Sequence, residues 1–435
     1  MSATFLEYFD LMLYVHMASI LNDIFFDSNN DFTQKYISAF SFCSTFCFKP
    51  FGGVVLGYLG DKYGRKSLLI FSTFTMAFCC LVIANLPPFA QIGITASIVI
   101  TLCRLIQGVA SMGEVGSSEI YMAENLSPPE RYFSTALISY AGVLGMSFAL
   151  LVAKLILAFN LDWRMVFWFG SIVAIIGYKA RIIMKESPEF LRAHQKLLLF
   201  LNIDKKTQEG KLALINKQLD PLLKKSPIRT KFAYFCSFCG WPVCFYFSYV
   251  YCGSILRDEF GFSRKMVIDH NFILSLFNMV GLFFWVYLTK FIHPLKILRF
   301  KIFFYIPFLC LIPFLLTTAE SPYLILLIQV IGVVWGNSTI PAKGVFLIHF
   351  GTLERFKFSA SLNAIAHVCL YIVTSFGLNY FRDHFGNYGI LCVSLPATLL
   401  FTWGVMEFSR MEKETKDYYL DLPKTAKLNK YCYKS

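Results

Sequence analysis

The sequence has 435 residues, of which 56% are hydrophobic, 17% are aromatic and only 15% are charged. Soluble globular proteins carry about 25% charged residues, so this composition excludes an ordinary soluble protein and indicates a polytopic membrane protein. The formal net charge of +13 would suit a protein that binds nucleic acid, but the basic residues concentrate at the ends of apolar runs. We therefore expect the lipid bilayer, and not nucleic acid, to be its large partner.

Apolar runs predict twelve helices that cross the membrane, because each run approaches or exceeds the roughly 20 residues needed to span a bilayer. The first run contains Glu7 and Asp10 and follows no basic segment, which predicts a retained helix and not a cleaved signal sequence. The twelve predicted spans cover 4–25, 36–58, 67–86, 94–122, 133–159, 164–184, 231–254, 268–290, 300–317, 321–349, 358–380 and 387–408.

A long polar segment, 185–230, separates the first six spans from the last six. We therefore expect an all-α integral membrane fold of two six-helix bundles, 1–184 and 231–409, joined by this basic linker and followed by a tail, 410–435. When alternate loops are assigned to the two sides, the side of both termini holds about five times as many Lys and Arg as the other. Because positively charged loops stay in the cytoplasm, we expect both termini and the linker to lie there. The membrane that the spans cross is then expected to be the cytoplasmic (inner) membrane.

The thirteen cysteines are scattered through apolar stretches, which favours their interpretation as small hydrophobic residues. Cys236 and Cys239 have the spacing of a metal or redox pair, but no second pair and no nearby histidine accompanies them. The H-E-x-x-H, G-x-S-x-G and Gly-rich phosphate-loop motifs are missing from the sequence. We therefore expect no catalytic site, no metal and no cofactor.

A polar hairpin joins the second and third apolar runs and has the sequence Gly-Tyr-Leu-Gly-Asp-Lys-Tyr-Gly-Arg-Lys. The first glycine lets two helix ends approach closely, and the last permits a turn with positive φ. This pattern resembles the loop between helices 2 and 3 of the major facilitator superfamily of secondary transporters. The resemblance implies a gating role, and we expect the hairpin to brace the ends of both helices through Gly57, Asp61, Gly64, Arg65 and Lys66.

Charged residues inside the predicted spans are the first functional candidates, because such residues are costly in lipid and normally face a cavity or one another. At about 1.5 Å per residue, Asp10 and Glu114 each lie roughly 7–9 Å from the middle of their spans toward the cytoplasm. We expect one of them, or Glu7 on the same helix face, to exchange a transported proton. For Glu7 and Glu119 the alternative is that the side chain reaches the cytoplasmic surface.

Substrate contacts are expected from polar and aromatic residues in both halves. Arg104 can hold a substrate carboxylate, and Lys49 and Lys343 offer further cations. Aromatic side chains would instead suit a quaternary ammonium group, and the sequence supplies both kinds of residue. The candidates for substrate binding are Arg104, Lys49, Tyr14 and Gln107 in the first half and Trp335, Asn337, Asn363 and His367 in the second.

Three motifs sharpen the resemblance: Glu7-Tyr-Phe-Asp10, Lys49-Pro-Phe-Gly52 and Arg104-Leu-Ile-Gln-Gly108. They resemble the metabolite:proton symporter branch of the superfamily, which includes proline/betaine, α-ketoglutarate, citrate and shikimate transporters. The resemblance covers nearly the whole chain, more densely in the first half, and implies proton coupling through Asp10 and Glu114. Lys49 departs from the branch, where an Arg is expected.

The sequence thus predicts a secondary transporter that moves a small zwitterion or organic acid together with protons and acts as a monomer. An efflux antiporter is the alternative within the superfamily, although the fifth span lacks the Gly-Pro pair typical of drug:proton antiporters. A sensor that has lost transport is the alternative from another class. It is allowed because the loop 290–296, which should repeat the hairpin in the second half, lacks the glycines and the Asp.

Overall fold

The structure is a computed structural model, and it describes residues 2–26, 48–63, 65–159, 161–182, 226–351 and 354–414. Within these residues every regular element is a helix. The helices form twelve units, six on each side of the segment 183–225. This arrangement confirms the predicted all-α fold class.

The first half contains six helices joined by short connections. Their bounds are Ser2–Phe25 (α1), Lys49–Tyr63 (α2), Arg65–Asn85 (α3), Ile94–Asn125 (α4), Glu130–Phe159 (α5) and Arg164–Ile182 (α6). A single helical turn, Phe89–Ile92, precedes α4. The predicted spans agree with these helices to within a few residues at most ends; the part of the second span before residue 48 lies outside the described residues.

Two of the six helical units in the second half are interrupted. The unit α7 covers 228–258 and includes a π-helical segment, Tyr246–Tyr251. The unit α10 begins as Pro322–Val334 and, after a break at 335–339, continues through a short 3₁₀ turn into Lys343–Ile348. The four remaining helices are Arg264–Leu288 (α8), Pro294–Thr317 (α9), Arg355–Phe385 (α11) and Gly389–Glu414 (α12).

Six helical stretches among the described residues are long and apolar enough to cross a membrane. The last of them contains both α11 and α12. Together with the helical order, they define a multi-pass membrane protein. The stretches are Lys66–Asn85, Ile94–Asn125, Glu130–Ile156, Arg264–Leu288, Pro294–Thr317 and Arg355–Glu414.

Small residues allow neighbouring helices to pack closely. Within the first half, a Cβ atom on Gly145 of α5 would lie 2.1 Å from the carbonyl oxygen of Phe5, so α1 and α5 touch backbone to backbone. Between the halves, a Cβ atom on Gly57 of α2 would lie 2.8 Å from the Cα atom of Lys357 in α11. Close approach through small residues is the usual way in which membrane helices gain packing energy.

The end of the molecule that carries the turn between α2 and α3 is called the hairpin face below. At this face the two halves are in contact, because Arg355 Nη1 lies 3.1 Å from Glu124 Oε1 and the side chain of Phe356 packs on α4. Toward the opposite face, α5 contacts α8, and Lys154 Nζ lies 3.2 Å from Asp269 Oδ1. The hairpin face is therefore closed in this structure.

The predicted linker 185–230 and tail 410–435 lie mostly outside the described residues. The structure describes only their edges, where α7 begins at Ile228 and α12 continues to Glu414. Their assignment as a cytoplasmic linker and a cytoplasmic tail stays a prediction.

Candidate functional site

A cavity of about 90 Å³ lies between the two halves of the molecule. Its walls come from α1, α2, α4 and α5 on one side and from α7, α10 and α11 on the other. One water molecule needs roughly 10–15 Å³ of such space, so the cavity can hold several waters or a small solute. Its position between the halves makes it the candidate substrate site.

The cavity is lined by two acidic and two basic side chains, and all four are buried. They are Glu7 of α1, Lys49 of α2, Glu119 of α4 and Lys343 of α10. Buried charges are tolerated when they compensate one another, and this group is balanced in formal charge. We therefore expect that a charged group of a solute entering the cavity would contact one of these four side chains and compete with its present partner.

Glu119 and Lys343 form an ion pair that crosses from one half to the other. Lys343 Nζ donates to Glu119 Oε1 at 2.6 Å, and the hydroxyl of Ser139 donates to the same oxygen at 2.5 Å. Lys343 reaches this position because it begins the last helical segment of α10, after the break in that unit. The pair therefore has to be stretched or broken whenever the two halves separate at this level.

Aromatic side chains cover much of the remaining cavity wall. Phe238, Trp241 and Phe245 come from α7, while Tyr8 and Tyr371 come from α1 and α11. The rings of Phe245 and Tyr371 meet edge to face at 6.3 Å between centroids. Aromatic faces attract organic cations, so the cavity offers a surface for a cationic group beside its lysines.

A second buried network, called the Asp10 network below, lies wholly within the first half. Gln107 Nε2 donates to Asp10 Oδ2 at 2.7 Å, and Arg104 Nη1 donates to Gln107 Oε1 at 2.7 Å and lies 3.7 Å from Asp10 Oδ2. Cys80 donates to Asp10 Oδ1 at 3.0 Å, and the guanidinium of Arg104 lies 3.5 Å from the ring centroid of Tyr14. The network holds Arg104 against its own half, and none of these side chains lines the cavity.

The predicted site residues therefore divide into separate groups. Glu7, Lys49, Asn363 and His367 line the cavity. The side chain of Glu114 lies outside the described residues, so its predicted proximity to Asp10 stays a prediction. The structure brings Asp10, Arg104, Gln107 and Tyr14 together in the Asp10 network.

Trp335 and Asn337 lie in the break of α10 and do not line the cavity. Trp335 packs edge to face on Trp285, with 5.1 Å between ring centroids. Asn337 Nδ2 donates to Thr398 Oγ1 on α12 at 2.8 Å. In this conformation both residues serve packing within the second half.

The predicted hairpin is described only in part. Gly57 makes the close contact with α11, and Lys66 Nζ donates to the carbonyl oxygen of Ile182 at 2.8 Å, at the end of α6. Gly64 and the side chains of Asp61 and Arg65 lie outside the described residues. The gating role of the hairpin stays a prediction.

Among the described residues, no group of three or more His, Cys, Asp or Glu side chains is arranged to hold a metal ion. Cys236 and Cys239 are both buried free thiols on α7. Burial among apolar residues agrees with the interpretation of these cysteines as small hydrophobic residues.

Two helical halves that enclose a buried, charge-balanced cavity are the architecture that many secondary transporters share. The chain belongs to the Major Facilitator Superfamily, whose family model matches residues 1–353. This match confirms the resemblance seen in the hairpin and in the spans.

Two of the similar proteins are bacterial transporters. The chain is 27% identical over 291 residues to a proline/betaine transporter of Salmonella typhimurium, covering 64% of this chain and 55% of the relative. It is 33% identical over 195 residues to the inner membrane metabolite transport protein YhjE of Escherichia coli, covering 43% of this chain and 44% of the relative. The chain thus spans about half the length of the curated relatives that it matches.

The fold is also similar to a solved structure of the proton:xylose symporter XylE bound to 6-bromo-6-deoxy-D-glucose. The TM-score is 0.69 at 16% sequence identity, and the alignment covers 95% of this chain and 93% of that one. At this identity the likeness establishes the shared fold.

Proposed function

We propose that the protein is a proton-coupled symporter of a small zwitterion or organic acid, of the proline/betaine type, in the cytoplasmic membrane with both termini inside the cell. The observation that supports this proposal is the cavity between the halves, where buried lysines, glutamates and aromatic rings occur together. The named relatives and the family match supply the class of transporter.

The cavity suits a solute that carries a carboxylate. Such a group would bind the ammonium of Lys343 or Lys49, while an amine or quaternary ammonium group would pack on the aromatic wall. Lys343 Nζ of α10 lies 5.9 Å from the centroid of the Phe238 ring. A zwitterion could therefore use both features of one small cavity.

Proton coupling follows from competition for Lys343. A substrate carboxylate that binds this ammonium removes the partner of Glu119, and a buried carboxylate without a cation takes up a proton more readily. Asp10 is the second candidate, because it is a buried carboxylate inside a membrane bundle. The hydrogen bond from Gln107 and the nearby charge of Arg104 hold this carboxylate in place. Glu7 and Glu114 complete the set of carboxylates that we propose for coupling.

Transport assays in proteoliposomes test the proposal. Purified protein should accumulate labelled proline, betaine or citrate against its gradient when an inward pH gradient is imposed. The Glu119→Gln, Asp10→Asn and Glu114→Gln variants should each be compared with the parent in uphill uptake and in exchange of internal for external substrate. A coupling carboxylate is one whose neutralisation abolishes uphill uptake and leaves exchange, since exchange needs no net proton movement.

The comparison of uphill uptake with exchange also separates a defect in coupling from a defect in substrate binding. Arg104→Ala should reduce both, because it removes the cation that organises the Asp10 network. If these three variants and Glu7→Gln all concentrate substrate as well as the parent, proton symport through the four carboxylates is wrong. Binding of a solute without any uptake or exchange would instead favour the alternative of a sensor that does not transport.

A further inference from the structure

A groove on the outer side of the second half lies between α8, α9 and the end of the first part of α10. It encloses about 880 Å³, within the roughly 300–1,000 Å³ range of small-molecule sites. We call it the α8–α9 groove and define it by Val280, Phe284, Ile292, Lys296, Phe300 and Trp335. It is separate from the cavity between the halves and shares no lining residue with it.

The floor of the α8–α9 groove is held rigid by the break in α10. Because the helix ends after Val334, the carbonyl oxygen of that residue accepts a hydrogen bond from Trp285 Nε1 at 3.0 Å. The ring of Trp335 then packs between Trp285 and Phe300, at 5.1 and 5.9 Å between centroids. The groove is thus a formed aromatic surface in this structure.

The groove has the length of one bilayer leaflet. From Val280 to Leu288, α8 descends eight residues toward the hairpin face, or about 12 Å, while half of the hydrocarbon core is about 15 Å thick. Lys296 is the one charged side chain among the described residues that line the groove, and it lies in the first turn of α9 at the hairpin face. An apolar channel in the leaflet therefore ends beside a cation at the level of the lipid headgroups.

We propose that the α8–α9 groove binds an anionic phospholipid, with an acyl chain against Phe284, Phe300 and Trp335 and the headgroup phosphate near Lys296. Charge complementarity selects this occupant, because basic pockets between membrane helices attract acidic headgroups. A polar solute would not partition into an aromatic groove at this depth of the bilayer. The acyl chain would fill a depression that the flat side of a neighbouring helix could not enter.

Native mass spectrometry of the full chain in detergent tests the proposal, with phosphatidylglycerol and phosphatidylcholine as probes. The parent should bind the anionic lipid more tightly. Lys296→Ala should weaken phosphatidylglycerol binding about five-fold and leave phosphatidylcholine unchanged, since one basic residue near the headgroups is lost. Lys296→Arg should keep the binding. Val280→Trp, which fills the groove from its exposed wall, should weaken the binding of both lipids.

Lys290 is the matched control. It is exposed on the same face, six positions before Lys296, and its ammonium lies 4.0 Å from the ring of Phe133 and does not line the groove. Lys290→Ala should leave phosphatidylglycerol affinity unchanged. An equal loss in Lys290→Ala, or full binding in Val280→Trp, would overturn the proposal in favour of non-specific surface attraction. A dimer mass that disappears only in Val280→Trp would assign the groove to a second copy of the chain and would also overturn it.

Discussion

Three buried carboxylates among the described residues are paired with buried cations. A charge inside a membrane bundle carries a large desolvation cost, which a close opposite charge and further hydrogen bonds offset. Three such pairs are described here, and two of them join the halves of the molecule. The pairs are Asp10 with Arg104, Glu119 with Lys343 and Glu124 with Arg355.

The pair between Glu119 and Lys343 can be tested through stability. Glu119→Gln leaves a buried ammonium without its carboxylate, and breaking a buried pair in this way costs about 3–5 kcal/mol. Lys343→Met leaves the carboxylate without its cation, whereas the double variant leaves neither charge. We therefore expect the double variant to melt at a higher temperature than either single variant in detergent.

The control for this set of variants is the ion pair of Arg382 and Glu259. Arg382 Nη2 lies 3.1 Å from Glu259 Oε1, and both side chains are partly exposed. Exposed pairs contribute about 0–1 kcal/mol, so the matching variants should change the melting temperature little. If the Glu119 and Lys343 changes were simply additive, the two residues would not be coupled in the folded protein.

His293 provides a prediction on pH. It lies between α8 and α9, where burial is the main cause that lowers its pKa to about 4; the carboxylate of Glu412 opposes this shift, and Lys296 and Arg299 add to it. Because the folded state resists protonation, the contribution of this group is complete above about pH 6.5 and is lost as the pH falls toward 4. We expect a loss of about 2 kcal/mol between pH 6.5 and 5.

The melting temperature of the parent, measured in detergent across this range, should fall more than that of His293→Gln. The exposed His384 is the control, and His384→Gln should follow the parent. Equal slopes in the parent and His293→Gln would show that other groups carry the acid sensitivity.

At the scale of the helices, the close contact between α1 and α5 provides a direct test of the packing. A methyl group on Gly145 would lie 2.1 Å from the carbonyl oxygen of Phe5, so Gly145→Ala must push α1 away from α5. Overpacking of this kind costs about 1–3 kcal/mol. We expect a lower melting temperature and reduced uptake, because α1 carries Glu7 and Asp10.

Gly253 of α7 is the matched control for this change. A Cβ atom there would lie 3.4 Å from the nearest atom, in Val267, which is an ordinary contact. Both substitutions gain helix propensity, by up to about 1 kcal/mol, so the difference between them reports the helix contact alone. Gly253→Ala should melt at or above the temperature of the parent. Equal effects of the two substitutions would contradict the close approach of α1 and α5.

At the scale of the whole molecule, the proposed transport function makes the closed hairpin face and the cavity behind it one of two alternating conformations. If the protein transports as proposed, the contacts that close this face would have to open for a solute to leave on that side. These contacts are the ion pairs of Glu119 and Glu124 and the close approach of Gly57 to α11. Their position at one end of the two helical halves is what rocking of one half against the other would require.

Orientation in the membrane is the prediction at this scale. A single cysteine in place of Gln208, in a background without the native cysteines, should react with an impermeant thiol reagent only after the cell is opened. The physical reason is the excess of Lys and Arg in the segments assigned to the cytoplasm. Labelling of this position in intact cells would reverse the assignment of both termini and of the segment 185–230.

The sequence by itself determined the class of the protein and the order of its helices. Every backbone group in lipid needs an internal hydrogen bond, so an apolar run of sufficient length has one structural outcome, a helix. The polar hairpin and the motifs around Asp10 and Arg104 are each formed by residues that are close in the sequence. They could therefore be recognised without the structure, and they indicated the superfamily. The breaks in α7 and α10 were not predicted, because side chains from other helices stabilise them. In α10, for example, Trp285 Nε1 donates a hydrogen bond to the carbonyl oxygen of Val334.

Only the tertiary structure decided which charges meet. Depth along a helix can be estimated from the sequence, and the estimate placed Asp10 level with Glu114. The residue that Asp10 actually contacts also depends on the rotation of each helix about its axis and on the reach of each side chain. The guanidinium of Arg104 extends toward Gln107, one turn nearer the hairpin face, and so comes within 3.7 Å of Asp10. Glu119 and Lys343 are 224 residues apart in the chain, and only the packing of one half on the other brings them to 2.6 Å.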